Sequence, residues 1–174
     1  MESDDNKSCC LYGLKYLTSV SSEHRSFVWL FIITFLYHAI YIYFTNIDLA
    51  PDEAHYWEWS RRLGLSYYSK GPAVAYIIAF FTGIFGDTPF GVRFGAVFLS
   101  QITMLSLYYL TFKLFENKLT AFLVVLVSQL SPLFAAGAVL MTTDVVYVTC
   151  WTLCLLAVYQ IIKNVSGSYI QSIL

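Results

Sequence analysis

Acids, bases and aromatic rings interleave in one stretch of this sequence, Pro51-Asp52-Glu53-Ala54-His55-Tyr56-Trp57-Glu58-Trp59-Ser60-Arg61-Arg62. Pro51 at the first position and two carboxylates in the first turn predict a short helix. Asp52 and Glu53 would complement the positive end of its macrodipole. A carboxylate at a membrane surface can also accept a proton from an acceptor hydroxyl or amine, which is general-base work. Spacing alone does not choose between the two. Tyr56, Trp57 and Trp59 suit an interfacial aromatic belt, and sugar rings also stack on such faces. Arg61, Arg62 and Lys70 are cations at headgroup level, where fixed positive charge attracts lipid phosphate. Lys70 stands in Ser69-Lys70-Gly71-Pro72, a tight turn ahead of an apolar run, where it either snorkels or meets a phosphate. Asp144 closes Met141-Thr142-Thr143-Asp144 at the edge of another apolar run. It is either a helix cap or a second carboxylate facing Asp52 across one cavity.

Other patterns carry less. Asp52 to His55 spell a helicase tetrapeptide, but no G-x-x-x-x-G-K-[ST] loop exists to cradle a nucleotide. His38 sits within an apolar run and reads as a hydrogen-bonded packing residue, although an ionisable group at that depth also invites a functional reading. Cys9-Cys10 and the Cys150/Cys154 pair have neither zinc nor disulfide spacing and read as packing residues.

The elements that must position these side chains follow from where charge is missing. Of 174 residues, 58% are apolar and 12% charged, against about 25% charged in a soluble domain. Ten basic and eleven acidic side chains leave a net charge of -1, which offers nothing to a nucleic-acid backbone. The chemistry is that of a membrane protein. Uncharged runs at about 27–47, 94–112, 119–139 and 145–162 are each long enough to cross ~30 Å of hydrocarbon, and helices satisfy their backbone groups internally. The first, preceded by a polar segment too long for a signal peptide, reads as an uncleaved anchor. Residues 71–86 are short for a span and predict an in-plane helix, started by Pro72 and stopped by Gly86. Two spans then separate Asp52 from Asp144 and leave both on one side. Eight of the 21 charged residues fall between positions 52 and 93. With the N-terminus inside, about five cations lie in the cytoplasm against four outside, and the sequons at Asn6 and Asn164 would face the cytoplasm.

The ordered set of Asp52-Glu53 with Tyr56-Trp57, Tyr68-Ser69-Lys70-Gly71-Pro72, Gly86-Asp87 with Gly91-Val92-Arg93, and the threonine turn ending at Asp144 resembles the GT-C type glycosyltransferases that use polyprenyl-phosphate sugars. Protein O-mannosyltransferases and lipid A aminoarabinose transferases are among them. The resemblance runs from about Phe27 to Lys163 and implies an all-α integral membrane protein of about four transmembrane helices. Residues 1–26 would be a cytoplasmic segment, 27–163 a GT-C-like membrane module whose long external loop, 48–93, carries in-plane helices, and 164–174 a tail. It implies Asp52 as catalytic base with Glu53 as its neighbour, Asp144 as a second acid, and Lys70, with Arg61 and Arg62, on the lipid phosphate. Arg93 matches a recurrent arginine without a role. The donor would be a polyprenyl-phosphate sugar and the acceptor a lipid or protein on the non-cytoplasmic face, in a bacterial inner membrane rather than endoplasmic reticulum. Some members use a divalent metal ion. Gly71 departs from the family's second proline, and members have many more spans. Transfer is therefore expected to need a C-terminal partner chain or further segments, and a non-catalytic remnant or subunit that binds polyprenyl phosphate is the rival reading.

Overall fold

The computed structural model describes residues 24–45, 47–68 and 70–165 with their side chains, and α1 and α7 continue as helical backbone to Ser3 and Gln171. Cys9, Cys10, Lys15, the Asn6 sequon and most of the 164–174 tail lie outside the residues so described. The order is α1 (Ser3–Phe44), α2 (Pro51–Ser60), α3 (Ala73–Phe85), α4 (Pro89–Phe115), α5 (Lys118–Leu130), α6 (Pro132–Gly137) and α7 (Thr143–Gln171), with no strand among the described residues. The fold is all-α, as expected. Three helices are long and apolar enough to cross a membrane: His24–Phe44 of α1, α4, and Thr143–Val165 of α7.

The expected span at 119–139 is not one helix. It breaks at Ser131-Pro132, where Ser131 is extended (ψ 131°) and Pro132 begins α6. A residue before proline is pushed out of the helical region, and proline brings no amide proton to continue the ladder. The chain still returns along the length of α4 in two pieces. Ala121 and Val125 of α5 pack with Phe27, Met104 and Tyr108 near the start of α1 and the end of α4. Met141, beyond α6, packs with Val74 and Val92 at the opposite end of α4.

α4 is the central helix, with 56% of its apolar window buried against 17% for α1 and α7. α1 runs antiparallel to it, since Phe27 stacks on Tyr108 at 3.8 Å while Tyr43 meets Phe90. α7 runs parallel, since Thr103 bonds Thr149 at 2.8 Å and the Tyr159 hydroxyl donates to the Lys113 carbonyl at 2.6 Å. Cys150 and Cys154 face outward from α7 and fill no interior space, which corrects their reading as packing residues.

The caps are local. Thr88 accepts from the Gly91 amide at 3.1 Å with Pro89 following, and Asn117 accepts from the Leu119 and Thr120 amides. Gly86 turns the chain out of α3 at φ 82°, a conformation that favours glycine. A Cβ on Gly91 would lie 2.5 Å from the Gly86 carbonyl oxygen, so the turn between α3 and α4 closes only on a glycine there. Both ends of α3 lie at one end of the bundle: Lys70 before it reaches Thr143 of α7, and Asp87 after it pairs with Arg61 beyond α2.

Single cysteines at Ser66, Lys113 and Thr142, in a background without the four native ones, test this path with an impermeant thiol reagent. Positions 66 and 142 should label from one side and position 113 from the other. Opposite accessibility for 66 and 142 would mean that α3 crosses.

Candidate functional site

The site is built on a buried ion pair. The Arg93 Nη2 lies 2.8 Å from the Glu53 Oε2, and its Nε donates to both carboxylate oxygens at 3.1 Å. Arg93 also donates to the carbonyls of Ile47 and Asp48, at 3.0 and 2.9 Å. Glu53 further accepts from the Ala50 amide, where it closes the N-terminus of α2, and from the Met141 amide 88 positions along the chain, both at 3.0 Å. Glu53 is 0% exposed. Its oxygens are saturated by the guanidinium and two amides, so it cannot meet a substrate from this position. The pairing of Glu53 with Asp52 as two site carboxylates therefore divides: Glu53 holds three segments together, and Asp52 is the exposed member. Arg93, which sequence reasoning left without a role, is its partner. An arginine at the head of an apolar helix was the available signal, since such a charge needs a counter-charge.

Around this pair Lys70 converges with two acids. Its ammonium lies 3.1 Å from the Thr143 hydroxyl oxygen and 5.6 Å from the centre of the Tyr56 ring. Its pKa is raised above the ordinary lysine value, chiefly by Tyr56 and against a loss of hydration, with lesser support from the charges of Asp144 and Asp52. Asp52, on α2, and Asp144, in the first turn of α7, are thus both within electrostatic reach of one cation, and both are exposed. Tyr56 is buried beneath, packed with Val74, Val92 and Met141.

The other cations are placed differently. Arg61 pairs with Asp87 and lies over the Trp57 ring at 5.5 Å. Arg61 first, then the Trp57 indole, hold the Asp87 carboxyl below its usual range, against some desolvation. A depressed carboxylate pKa means that this tie is complete above the ordinary aspartate range and fails only as pH falls through the lowered value. Arg61 is therefore engaged at the turn after α3 and not free beside Lys70. Arg62 has an exposed side chain two residues beyond the end of α2. Trp59 is stacked on Tyr67 at 4.6 Å, with His55 tilted against it at 4.5 Å, so one of its faces is already covered. His38 is buried against Tyr37, and its Nδ1 and the Gln101 Oε1 have no hydrogen-bond partner among the described residues. Among the described residues no three His, Cys, Asp or Glu side chains group to hold a metal; Asp52 and Asp144 do not fit a metal without a further ligand.

Residues 69–173 match the dolichyl-phosphate-mannose-protein mannosyltransferase family. The chain belongs to this family. It is 35% identical over 89 residues to the undecaprenyl phosphate-alpha-4-amino-4-deoxy-L-arabinose arabinosyl transferase of Yersinia enterocolitica, covering 44% of this chain and 16% of that protein. A lipid A galacturonosyltransferase of Rhizobium johnstonii is 40% identical over 52 residues, 30% of this chain and 11% of that one. The corresponding arabinosyl transferase of Serratia proteamaculans is 31% identical over 113 residues, 57% and 20%. The chain thus spans a fifth or less of the length of the curated relatives it matches. No solved structure matches it. With three apolar helices and membrane glycosyltransferase relatives, it is a multi-pass membrane protein of a transferase family.

The buried pair makes the sharpest prediction about stability. Glu53→Ala or Arg93→Ala leaves one charge buried without its partner and should destabilise by about 3–5 kcal/mol. Joint replacement by Met at both positions should recover much of that loss. Thermal unfolding of the detergent-solubilised chain decides it, and wild-type midpoints for the single variants would refute the role given to the pair.

Proposed function

We propose that this chain is the part of a membrane glycosyltransferase that seats a polyprenyl-phosphate sugar and presents a catalytic base to a lipid or protein acceptor on the non-cytoplasmic face, in a bacterial inner membrane. The observation that carries the reading is the convergence of Lys70, Asp52 and Asp144 from a turn, α2 and α7, with Thr143 holding the ammonium. The carrier phosphate is the leaving group, and positive charge beside it stabilises the charge it gains as the glycosidic bond breaks. Lys70 supplies that charge. Asp52, exposed at the start of α2, takes the proton of the attacking hydroxyl or amine. In this scheme 48–93 is the external loop, α2 and α3 are its in-plane helices, and α1, α4, the broken α5–α6 crossing and α7 are the spans. Arg62, exposed beyond the end of α2, contributes attraction at the headgroup surface.

The relatives' names fix neither sugar nor acceptor for this chain, because one acts with an aminoarabinose and another is a galacturonosyltransferase. A second reading has the chain bind a polyprenyl phosphate and lend it to a partner that completes the enclosure. Transfer needs both substrates aligned, and a displacement of ~1 Å can cost ~100-fold in rate.

Two measurements test the reading. Asp52→Asn should lower transfer at least ~100-fold in an assembly competent for it, with membrane insertion unchanged; undiminished turnover would refute the base. Lys70→Ala should weaken binding of a polyprenyl phosphate to the 174-residue chain more than Asp52→Asn does. Because the Lys70 pKa is raised, the ammonium persists above the ordinary lysine value. Binding should therefore hold from neutral pH through that value and decline only as pH rises through the raised one.

A further inference from the structure

The end of the bundle opposite Lys70 carries a charge of its own. Among the described residues Arg25, Lys113, Lys118 and Lys163 lie there with Glu116 as the acid, and none of the four cations has an ion pair. Contacts gather three of them around the end of α4. His24, the neighbour of Arg25, meets the Phe112 ring at 6.4 Å and bonds the Tyr108 hydroxyl at 3.0 Å. The Lys113 carbonyl accepts from Tyr159 at 2.6 Å, and Lys163 follows Tyr159 one turn later on α7. The Lys113 ammonium lies 5.1 Å from the centre of the Tyr109 ring. From these cations an open apolar stripe runs along α4. α7 packs on α4 through Thr103, and α1 and α5 pack through Met104. Successive helical residues point about 100° apart, so Leu105 faces between those two contacts, and Tyr109 one turn on and Phe98 two turns back share its face. All three are exposed. On α1, His24 and Phe35 reach Phe112 and Phe94 at one edge of the stripe, and Val28 and Ile32 between them are exposed.

We propose that this groove between α1 and α7 binds an anionic phospholipid of the leaflet on the face opposite Lys70, with Lys113, Arg25 and Lys163 on its phosphate and Tyr109, Leu105 and Phe98 under its acyl chains. Charge and length both fit such an occupant. From Lys113 to Phe98 the stripe runs about 22 Å by the helical rise, more than the ~15 Å of hydrocarbon in one leaflet. Cations at headgroup level draw anionic lipid, whereas a zwitterionic headgroup brings its own ammonium into the cluster and gains little. Lys118 stands apart from the groove, because α5 packs on the Met104 side of α4. The site is thus one of placement and not of net charge alone.

Native mass spectrometry of the full chain in mixed micelles, with phosphatidylglycerol and phosphatidylcholine at equal concentration, counts the lipid that each form of the protein retains. The wild-type chain should retain phosphatidylglycerol in preference by at least ~25-fold, the product of two cations at about fivefold each. Lys113→Gln and Lys163→Gln should each lower that preference about fivefold, and Lys118→Gln should leave it unchanged. Glycerol phosphate in excess, which offers the head without the chains, should not displace the lipid. Equal retention of the two lipids by the wild-type chain overturns the site. A preference that Lys118→Gln lowers as much as Lys113→Gln does overturns it too, since the attraction would then be diffuse surface charge. Displacement by glycerol phosphate overturns the part given to the apolar stripe.

Discussion

One buried ion pair sets the geometry of this end of the molecule. Glu53 and Arg93 lie in an interior where an unpaired charge would be costly, and each is hydrogen-bonded beyond the pair itself. The carboxylate closes α2 through the Ala50 amide and holds Met141, while the guanidinium gathers the carbonyls of Ile47 and Asp48 at the exit from α1. α1, α2, α4 and the lead into α7 therefore meet at one point. Asp52 is one residue from that point and Thr143 two residues beyond Met141. The exposed groups inherit their relative positions from the buried ones.

Helix geometry gives neighbouring acids opposite fates. Successive residues on a helix point about 100° apart, so Asp52 and Glu53 cannot face the same way. With Glu53 turned inward to Arg93, Asp52 is turned out to the exposed side of α2. Tyr56, one turn from Asp52 and Glu53, is buried under Lys70 and forms the floor on which the ammonium rests. An exposed carboxylate and a buried, fully bonded one need different surroundings, and adjacency on one helix supplies both.

Much of this was legible in the sequence, and the omissions have physical causes. Charge-free runs locate α1, α4 and α7 because a bilayer excludes charge over a fixed length. Pro51, Pro72, Gly86 and Asn117 mark helix ends through local stereochemistry. The break at Pro132 was missed because hydropathy is indifferent to proline, whereas the backbone is not. Arg61 was grouped with Lys70 by sign of charge, and only the fold shows that Asp87 reaches it first. The partnership of Glu53 with Arg93 spans 40 positions, and that with the Met141 amide spans 88. No periodicity reports such a contact. Even so, an arginine opening an apolar helix and a spare acid on the preceding loop could have been matched by the requirement for counter-charge.

The same break that confounds a span count gives the site its depth. An unbroken helix from Lys118 to beyond Gly137 would follow α4 closely along the whole crossing and fill the space beside Asp144. Ser131 in an extended conformation and Pro132 without an amide proton turn the chain aside. The result is a cavity that reaches from Asp144 down to Thr103, beside a cation held by a hydroxyl and an aromatic ring. Asp144 and Thr142 contribute to its lining together with Leu133, Phe134, Leu140 and Val148, so one charged group stands beside otherwise apolar walls.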